Sequence, residues 1–280
     1  MEALRRGDAG YPPELLQLSN PPRVLWMLGD PAVLARPTVA IVGTRRATSY
    51  AERVTRELAR VLAQAGACVI SGLARGVDAA AHRGALDAGG ATCAVLGTGV
   101  NVVYPRGHAA LQADIAARGL LVSELSPDDA AHGGSFPLRN RIIAALASVT
   151  IVVEAGAKSG ALITASHALE LGRTVAAVPG PIDVPQSQGS NELLRDGAVA
   201  ITAMVDALTL LGLTQPVRLA ELPVGTSERR LWDALDDGAA DLDTLCSRAG
   251  LPAHEGVAAA SSLELRGLVE CALSGEVRRM

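Results

Sequence analysis

Aromatic residues are nearly missing from this sequence: one Phe, three Tyr and two Trp make up 2% of 280 residues. A core without rings must be built from Ala, Val, Leu and Ile, which suits Val/Ile strands alternating with Ala/Leu helices. Lysine is scarcer still, since Lys158 stands alone against 24 arginines. The four cysteines, Cys68, Cys93, Cys246 and Cys271, have no C-x-x-C spacing and no metal-ligand pattern with the five histidines, so reduced buried thiols are expected and no metal or cofactor site is. No run of about 20 uncharged apolar residues occurs. The N-terminal MEALRRGDAG also lacks the apolar stretch of a secretion signal, so neither membrane spanning nor export is expected, and the cytoplasm is the expected location. A hydrophobic content of 49% argues against disorder.

Nor is there an overall excess of positive charge, the formal sum being -4. Residues 225–280 carry ten acidic side chains against six Arg, leaving 19 of each sign in the other 224 residues. An anion-binding face must therefore come from local clustering, and one cluster is visible between Arg36 and Arg60, with six arginines against Glu52 and Glu57.

What is present is alternation. From Val39 the short apolar runs 39–43, 67–71, 91–97, 120–124, 149–155, 174–180 and 198–201 are separated by segments long enough for crossover helices. This predicts an α/β fold, a doubly wound and mostly parallel sheet over residues 37–213. Residues 1–36, Pro-rich with an apolar patch at Val24 to Leu28, are expected as an extended lead-in on the sheet edge. Residues 214–226 have the composition of a linker. Residues 227–280 match a small C-terminal winged-helix domain in outline, with a glycine turn at Gly250. Its third helix offers His254, Glu255, Ala258 to Ala260 and Glu264, a poor set for reading a DNA groove, which favours a protein-contact role.

Ligands of open α/β sheets sit at the carboxyl ends of the strands. The segments there, GTRRATS (43–49), SGLARGVD (71–78), GTGVNVVYP (97–105), EAGAKSGA (154–161) and PGPID (179–183), are rich in small residues and Arg. Glycines let backbone N–H groups approach a phosphate, helix starts point positive ends at it, and hydroxyls add donors. Thr44, Thr48, Ser49, Ser71, Gly72 and Gly76 fit that role, with Arg45 and Arg75 supplying charge. Such glycines also serve simple strand-to-helix turns. The dinucleotide fingerprint is not matched, and a P-loop would need glycine where Ala157 stands before Lys158-Ser159. Lysine is a compact charge suited to single phosphate contacts. No catalytic group is legible: Ser71 and Ser159 lack His/Asp partners, His82 is expected as a helix residue tied to a carboxylate, and Asp78, Glu124 and Glu154 are scattered singles. No enzymatic activity is expected.

The strings GTR (43–45), SGLARGVDAAAH (71–82), YP (104–105), SFPLRNRIIAAL (135–146), VVEAGAKSGALITA (152–165), GRTVAAVPG (172–180) and GSNELLRDGA (189–198) together resemble the DNA-processing protein A family, DprA or Smf, over residues 11 to about 213. The resemblance implies a Rossmann-like homodimer without enzymatic activity. Such a protein binds and protects incoming single-stranded DNA in natural transformation and helps load a RecA-type recombinase. Carried onto this sequence, it implies a basic pocket with Arg45, Arg75, Phe136, Arg139, Arg141 and Lys158. Dimerisation and recombinase contact fall to residues 200–213, whose Met204, Val205, Leu208 and Leu211 also suit ordinary core. The candidate DNA face is thus Gly43, Thr44, Arg45, Ser71, Gly72, Arg75, Gly76, Phe136, Arg139, Arg141, Lys158 and Ser159. The chain starts too close to Tyr11 for the N-terminal sterile-alpha-motif domain of many members, whose function is expected to be absent or supplied elsewhere. AHGGS before Phe136 lacks the expected basic side chain.

The lone Phe136 sits at a predicted helix start, with Pro137 as first helical residue and Ile142, Ile143 and Leu146 on the core face. A ring there can stack any base while cations track phosphates. Positions two apart on a helix diverge by about 200°, so Arg139 is expected toward DNA first and Arg141 is the alternative loop brace. The competing enzyme reading, a nucleotide-binding phosphoribohydrolase, needs a PGG-x-GT string. Pro179-Gly180-Pro181, with Gly189-Ser190 well downstream, fits that badly.

Overall fold

Alternating burial along each strand determines the layers. The computed structural model describes residues 1–213, 227–265, 268–272 and 275–279. In β3 (Thr38–Val42), Val39 and Ile41 pack on one face of the sheet while Ala40 and Val42 pack on the other. The parallel strands β3, β4 (Cys68–Ser71), β5 (Ala91–Val95), β6 (Leu120–Ser123), β7 (Val149–Val152) and β8 (Thr174–Ala177) are buried on both faces over most of their length, as crossover helices require, while the short edge strand β9 (Val199–Ala200) is exposed. One side carries α1 (Ser49–Gln64), α2 (Val77–Asp87) and α7 (Met204–Leu210). The other carries α4 (Ser135–Leu146) and α5 (Gly160–Glu170). Each fully buried Ile or Leu in these layers, such as Ile41 or Leu58, contributes about 1.5–3 kcal/mol. The helices α3 (Ala109–Arg118) and α6 (Gln188–Arg195) complete this domain.

The nine-stranded sheet has the order β1-β2-β6-β5-β4-β3-β7-β8-β9. The lead-in supplies its antiparallel edge: β2 (Val24–Gly29) pairs with β6, and β1 (Glu2–Arg5) pairs with β2. The expected extended segment is therefore two strands, with Tyr11 buried below them and its hydroxyl donating to Pro22 O at 2.7 Å. Order along the chain runs outward from β3 to β6 and then returns to the other side of β3 at β7. The switch point lies between β3 and β7, where adjacent loops diverge and leave a crevice.

The chain divides into two compact units, Met1–Gln215 and Pro216–Met280. The expected linker, 214–226, lies outside the described residues. The second unit contains α8 (Ser227–Ala234), β10 (Ala240–Asp241), α9 (Leu242–Ala249), α10 (Ala253–Leu265), β11 (Val269–Cys271) and β12 (Glu276–Arg279), with the sheet order β10-β12-β11. Gly250 closes α9 in the left-handed region at φ 60°, a conformation that costs glycine nothing. The basic residues of β12 are engaged within the unit: Arg278 pairs with Glu270, and Arg279 pairs with Asp236 and lies over Trp232. On α10, His254, Ala258 and Glu264 are exposed while Ala259 and Ala260 are core. No helix among the described residues is long and apolar enough to cross a membrane.

Candidate nucleic-acid interface

The loop after β3 is held from below by one buried carboxylate. Glu154, 3% exposed at the end of β7, accepts from Thr48 N at 2.9 Å and from Thr48 Oγ1 at 2.8 Å, while its main-chain carbonyl accepts from Thr44 N at 2.7 Å. Thr48 in turn caps α1 by accepting from Ala51 N at 3.1 Å. Gly43 permits the crossing, since a Cβ there would lie 2.6 Å from the Val77 side chain and 2.8 Å from Glu154 O. With its backbone pinned in this way, the loop presents Arg45 and Arg46 to solvent. Glu154→Ala is expected to cost about 1–3 kcal/mol by orphaning the Thr48 donors, measured as a lower urea midpoint, with Glu154→Gln milder because it keeps an acceptor.

The loop after β4 is built around Gly72. Its N–H donates to Asp78 Oδ2 at 3.2 Å, Ala74 N adds a 3.3 Å bond to the same atom, and Arg139 lies across its carbonyl. A Cβ at Gly72 would collide with that guanidinium, and one at Gly76, where φ is +71°, would collide with the Thr44 carbonyl. Only Arg75 projects outward. The loop after β7 ends at Ser159, whose hydroxyl caps α5 by accepting from Ala161 N. Asn140 of α4 holds the same turn through Gly160 O at 3.1 Å. Lys158 stands exposed at its tip. Between these loops opens a cavity of about 640 Å³, lined by Gly43 to Arg46, Phe136 and the turn Gly156 to Ala161.

Of the expected face, Gly43, Thr44, Arg45, Phe136, Arg139, Lys158 and Ser159 line this cavity. Arg45, Arg75 and Lys158 are exposed, and none has an ion-pair partner among the described residues. Three side chains of the expected face turn inward, including Arg139 at the cavity wall. Ser71 is fully buried, its hydroxyl donating to Ile41 O at 2.7 Å. Arg139 is 4% exposed and donates to Gly72 O at 2.7 Å and to Val95 O. Arg141 is also buried and pairs with Glu124 at 2.6 Å. The expectation that Arg139 points toward a ligand is corrected: its guanidinium braces two strand ends, and burial pushes its pKa down to about 10, which leaves it charged at neutral pH. Helix α4 begins at Ser135, so Pro137 falls within the first turn rather than opening it.

Phe136 is half-buried with its ring against Gly97. The Arg45 guanidinium lies 5.4 Å from its centroid, and the Tyr104 ring is 4.9 Å away at an interplanar angle of 35°. The three form one cluster, in which Tyr104 is the more exposed ring. The sequence reading missed Tyr104 and the bracing roles of Asp78 and Glu154: Tyr104 meets Phe136, and Glu154 meets Thr48, only across the fold, while Asp78 accepts from Gly72 and Ala74 within its own strand-to-helix turn. His82 is also corrected: it bonds Thr92 Oγ1 at 2.7 Å, not a carboxylate. On α7, Leu208 is fully buried against the sheet and Met204 and Leu211 pack beside it, which leaves only Val205, 52% exposed, facing out among the four expected interface residues. Among the described residues no group of three or more His, Cys, Asp or Glu gathers to hold a metal ion.

Residues 2–212 match the family model described as DNA recombination-mediator protein A, and residues 215–275 match the DprA winged helix domain. The chain belongs to this family. It is 43% identical to the putative DNA processing protein DprA of Mycobacterium tuberculosis over 260 residues, 89% of this chain and 67% of that protein. Protein Smf of Escherichia coli is 38% identical over 279 residues, 96% of this chain and 75% of that one. Among solved structures, DprA from Streptococcus pneumoniae superposes with a TM-score of 0.72 at 38% identity, covering 74% of this chain and 73% of that one. DprA from Helicobacter pylori, described for its single-stranded DNA binding mode, superposes at 0.67 with 36% identity, covering 72% of this chain and 92% of that one.

Proposed function

We propose that this DprA-family protein binds single-stranded DNA across the switch-point cavity, protects it during recombination of incoming DNA, and helps a RecA-type recombinase onto it as a homodimer. The observation that carries the binding step is the pair of cations lining the cavity, Arg45 and Lys158, exposed and without an ion-pair partner among the described residues, beside a ring cluster at the carboxyl edge of the sheet, with Arg75 exposed on the neighbouring loop. Phosphates meet point charges and N–H groups there without any base edge being read, and a ring stacks any base. The Helicobacter pylori relative, with its single-stranded DNA binding mode, supports the same ligand. The homodimer and the recombinase step rest on family membership alone.

The residues favour binding over chemistry. The buried His82 is neutral, Ser71 is spent on a main-chain carbonyl, and Asp78 is occupied by Gly72 and Ala74 N–H groups. Arg45→Ala and Lys158→Ala are expected to weaken oligo-dT binding without lowering the melting temperature. Each should also reduce the salt slope, by about 0.7 for every phosphate that the variant no longer neutralises. Unchanged affinity and slope in both variants would sink the cavity assignment.

A further inference from the structure

Tyr104 is 45% exposed in a chain with very few rings, and no hydrogen bond holds its hydroxyl among the described residues. The loop that carries it is nonetheless held firmly. Thr98 Oγ1 donates to Val102 O at 3.1 Å, Gln112 Nε2 donates to Val100 O and Val102 O, and Ser123 Oγ donates to Thr98 O at 2.7 Å. Tyr50, the other exposed tyrosine, instead directs its hydroxyl toward Pro179 O. Beyond Tyr104 the chain turns through Arg106, exposed and without an ion-pair partner among the described residues. His108 of that turn bonds Leu73 O at 3.0 Å, which ties it to the loop bearing Arg75. The acids nearby are occupied: Asp128 accepts from Asn101, and Asp129 accepts from Ser126 N. A pre-positioned ring thus continues the Phe136 cluster outward, with Arg106 two residues on in the chain and Arg75 on the loop that His108 bonds, neither with an ion-pair partner among the described residues.

We propose that Tyr104 is a second base-stacking residue, and that with Arg75 and Arg106 it extends the single-strand track from the cavity, past Phe136, toward the turn at Arg106–His108. The proposal rests on the reading of the cavity as a single-strand site and adds a direction and a length to it. Tyr104 touches Phe136 but does not line the cavity, so a strand short enough to end at Phe136 is expected to leave its outer face uncovered, whereas a longer one stacks a base on it and places a phosphate near Arg106.

The test is fluorescence-anisotropy titration of oligo-dT in two lengths, roughly four and roughly twelve nucleotides, across a salt series. Tyr104→Leu keeps an apolar side chain beside Phe136 but removes the π face. It is expected to weaken the longer oligonucleotide by roughly 5- to 100-fold and leave the shorter nearly unchanged. Arg106→Ala, which leaves the ring in place, should lower the salt slope by about 0.7 for the longer one only. If both variants bind both lengths as the native protein does, while Arg45→Ala and Lys158→Ala weaken both, the extension is wrong and the cavity reading stands. Equal loss on both lengths in Tyr104→Leu also overturns the extension, because the ring then acts only through Phe136. Native binding by all four variants removes the cavity reading and the extension together.

Discussion

Arg139→Ala is expected to lower the melting temperature of the protein by about ten degrees, and to weaken DNA binding only as a consequence. The guanidinium is buried and donates to the carbonyls of Gly72 and Val95, at the ends of adjacent strands. On the other side of the Gly72 peptide, the buried Asp78 carboxylate accepts its N–H. Burial pushes the Asp78 pKa up, against the Arg139 charge and the two N–H bonds that pull it down, so each charge is costly alone and tolerable beside the other. Removing the guanidinium orphans two buried carbonyls at about 1–3 kcal/mol each, and for a domain of this size each kcal/mol is worth about 2–4 °C. Arg139→Lys should recover part of the loss, because it keeps the charge but cannot fork across two carbonyls. Differential scanning fluorimetry separates the alternatives. A variant that melts within about two degrees of native yet binds oligo-dT poorly would make Arg139 a DNA contact after all.

The inward turn of Arg139 was legible in the sequence on one count and hidden on another. Residues 139, 142, 143 and 146 repeat at helical spacing, so Arg139 lies on the face where Ile142, Ile143 and Leu146 are buried. Against that pattern stood the family resemblance, which places Arg139 in the basic pocket, and the carbonyls that make burial tolerable come from Gly72 and Val95, far away in sequence. The same holds for Arg141, whose partner Glu124 ends β6. The parallel strands were readable because Val/Ile runs between Gly-rich turns leave little choice. β1 was not, because Glu2–Arg5 is short and half charged and finds its place by pairing with β2 and burying Leu4 in the core. Lys158 and Arg139 sit in equally suggestive motifs, and only the fold separates an exposed tip from an internal brace.

Acid should destabilise the protein through His82, by several kcal/mol between about pH 6.5 and pH 3. The Thr92 hydroxyl donates to Val69 O at 2.7 Å, so the 2.7 Å contact with His82 uses the imidazole Nδ1–H as donor. Nε2 is then the bare nitrogen, buried without any partner. Protonating it would place a cation where nothing accepts its hydrogen. Burial lowers the pKa from its ordinary 6.5 to about 3, and the positive charges of Arg139 and His108 push the same way. The unfolded chain binds this proton below about 6.5 while the folded chain refuses it until about 3. The stability is therefore fully present above the first value and lost as pH falls toward the second. Each pH unit in that window is worth about 1.4 kcal/mol. His82→Asn can still donate to Thr92 but does not titrate, so its stability should fall less steeply with acid than native, whatever its level at neutral pH. The comparison belongs between about pH 6.5 and 4.5, above the ordinary carboxylate range. Parallel stability curves there would mean that His82 is protonated in the fold and that Nε2 has found an acceptor.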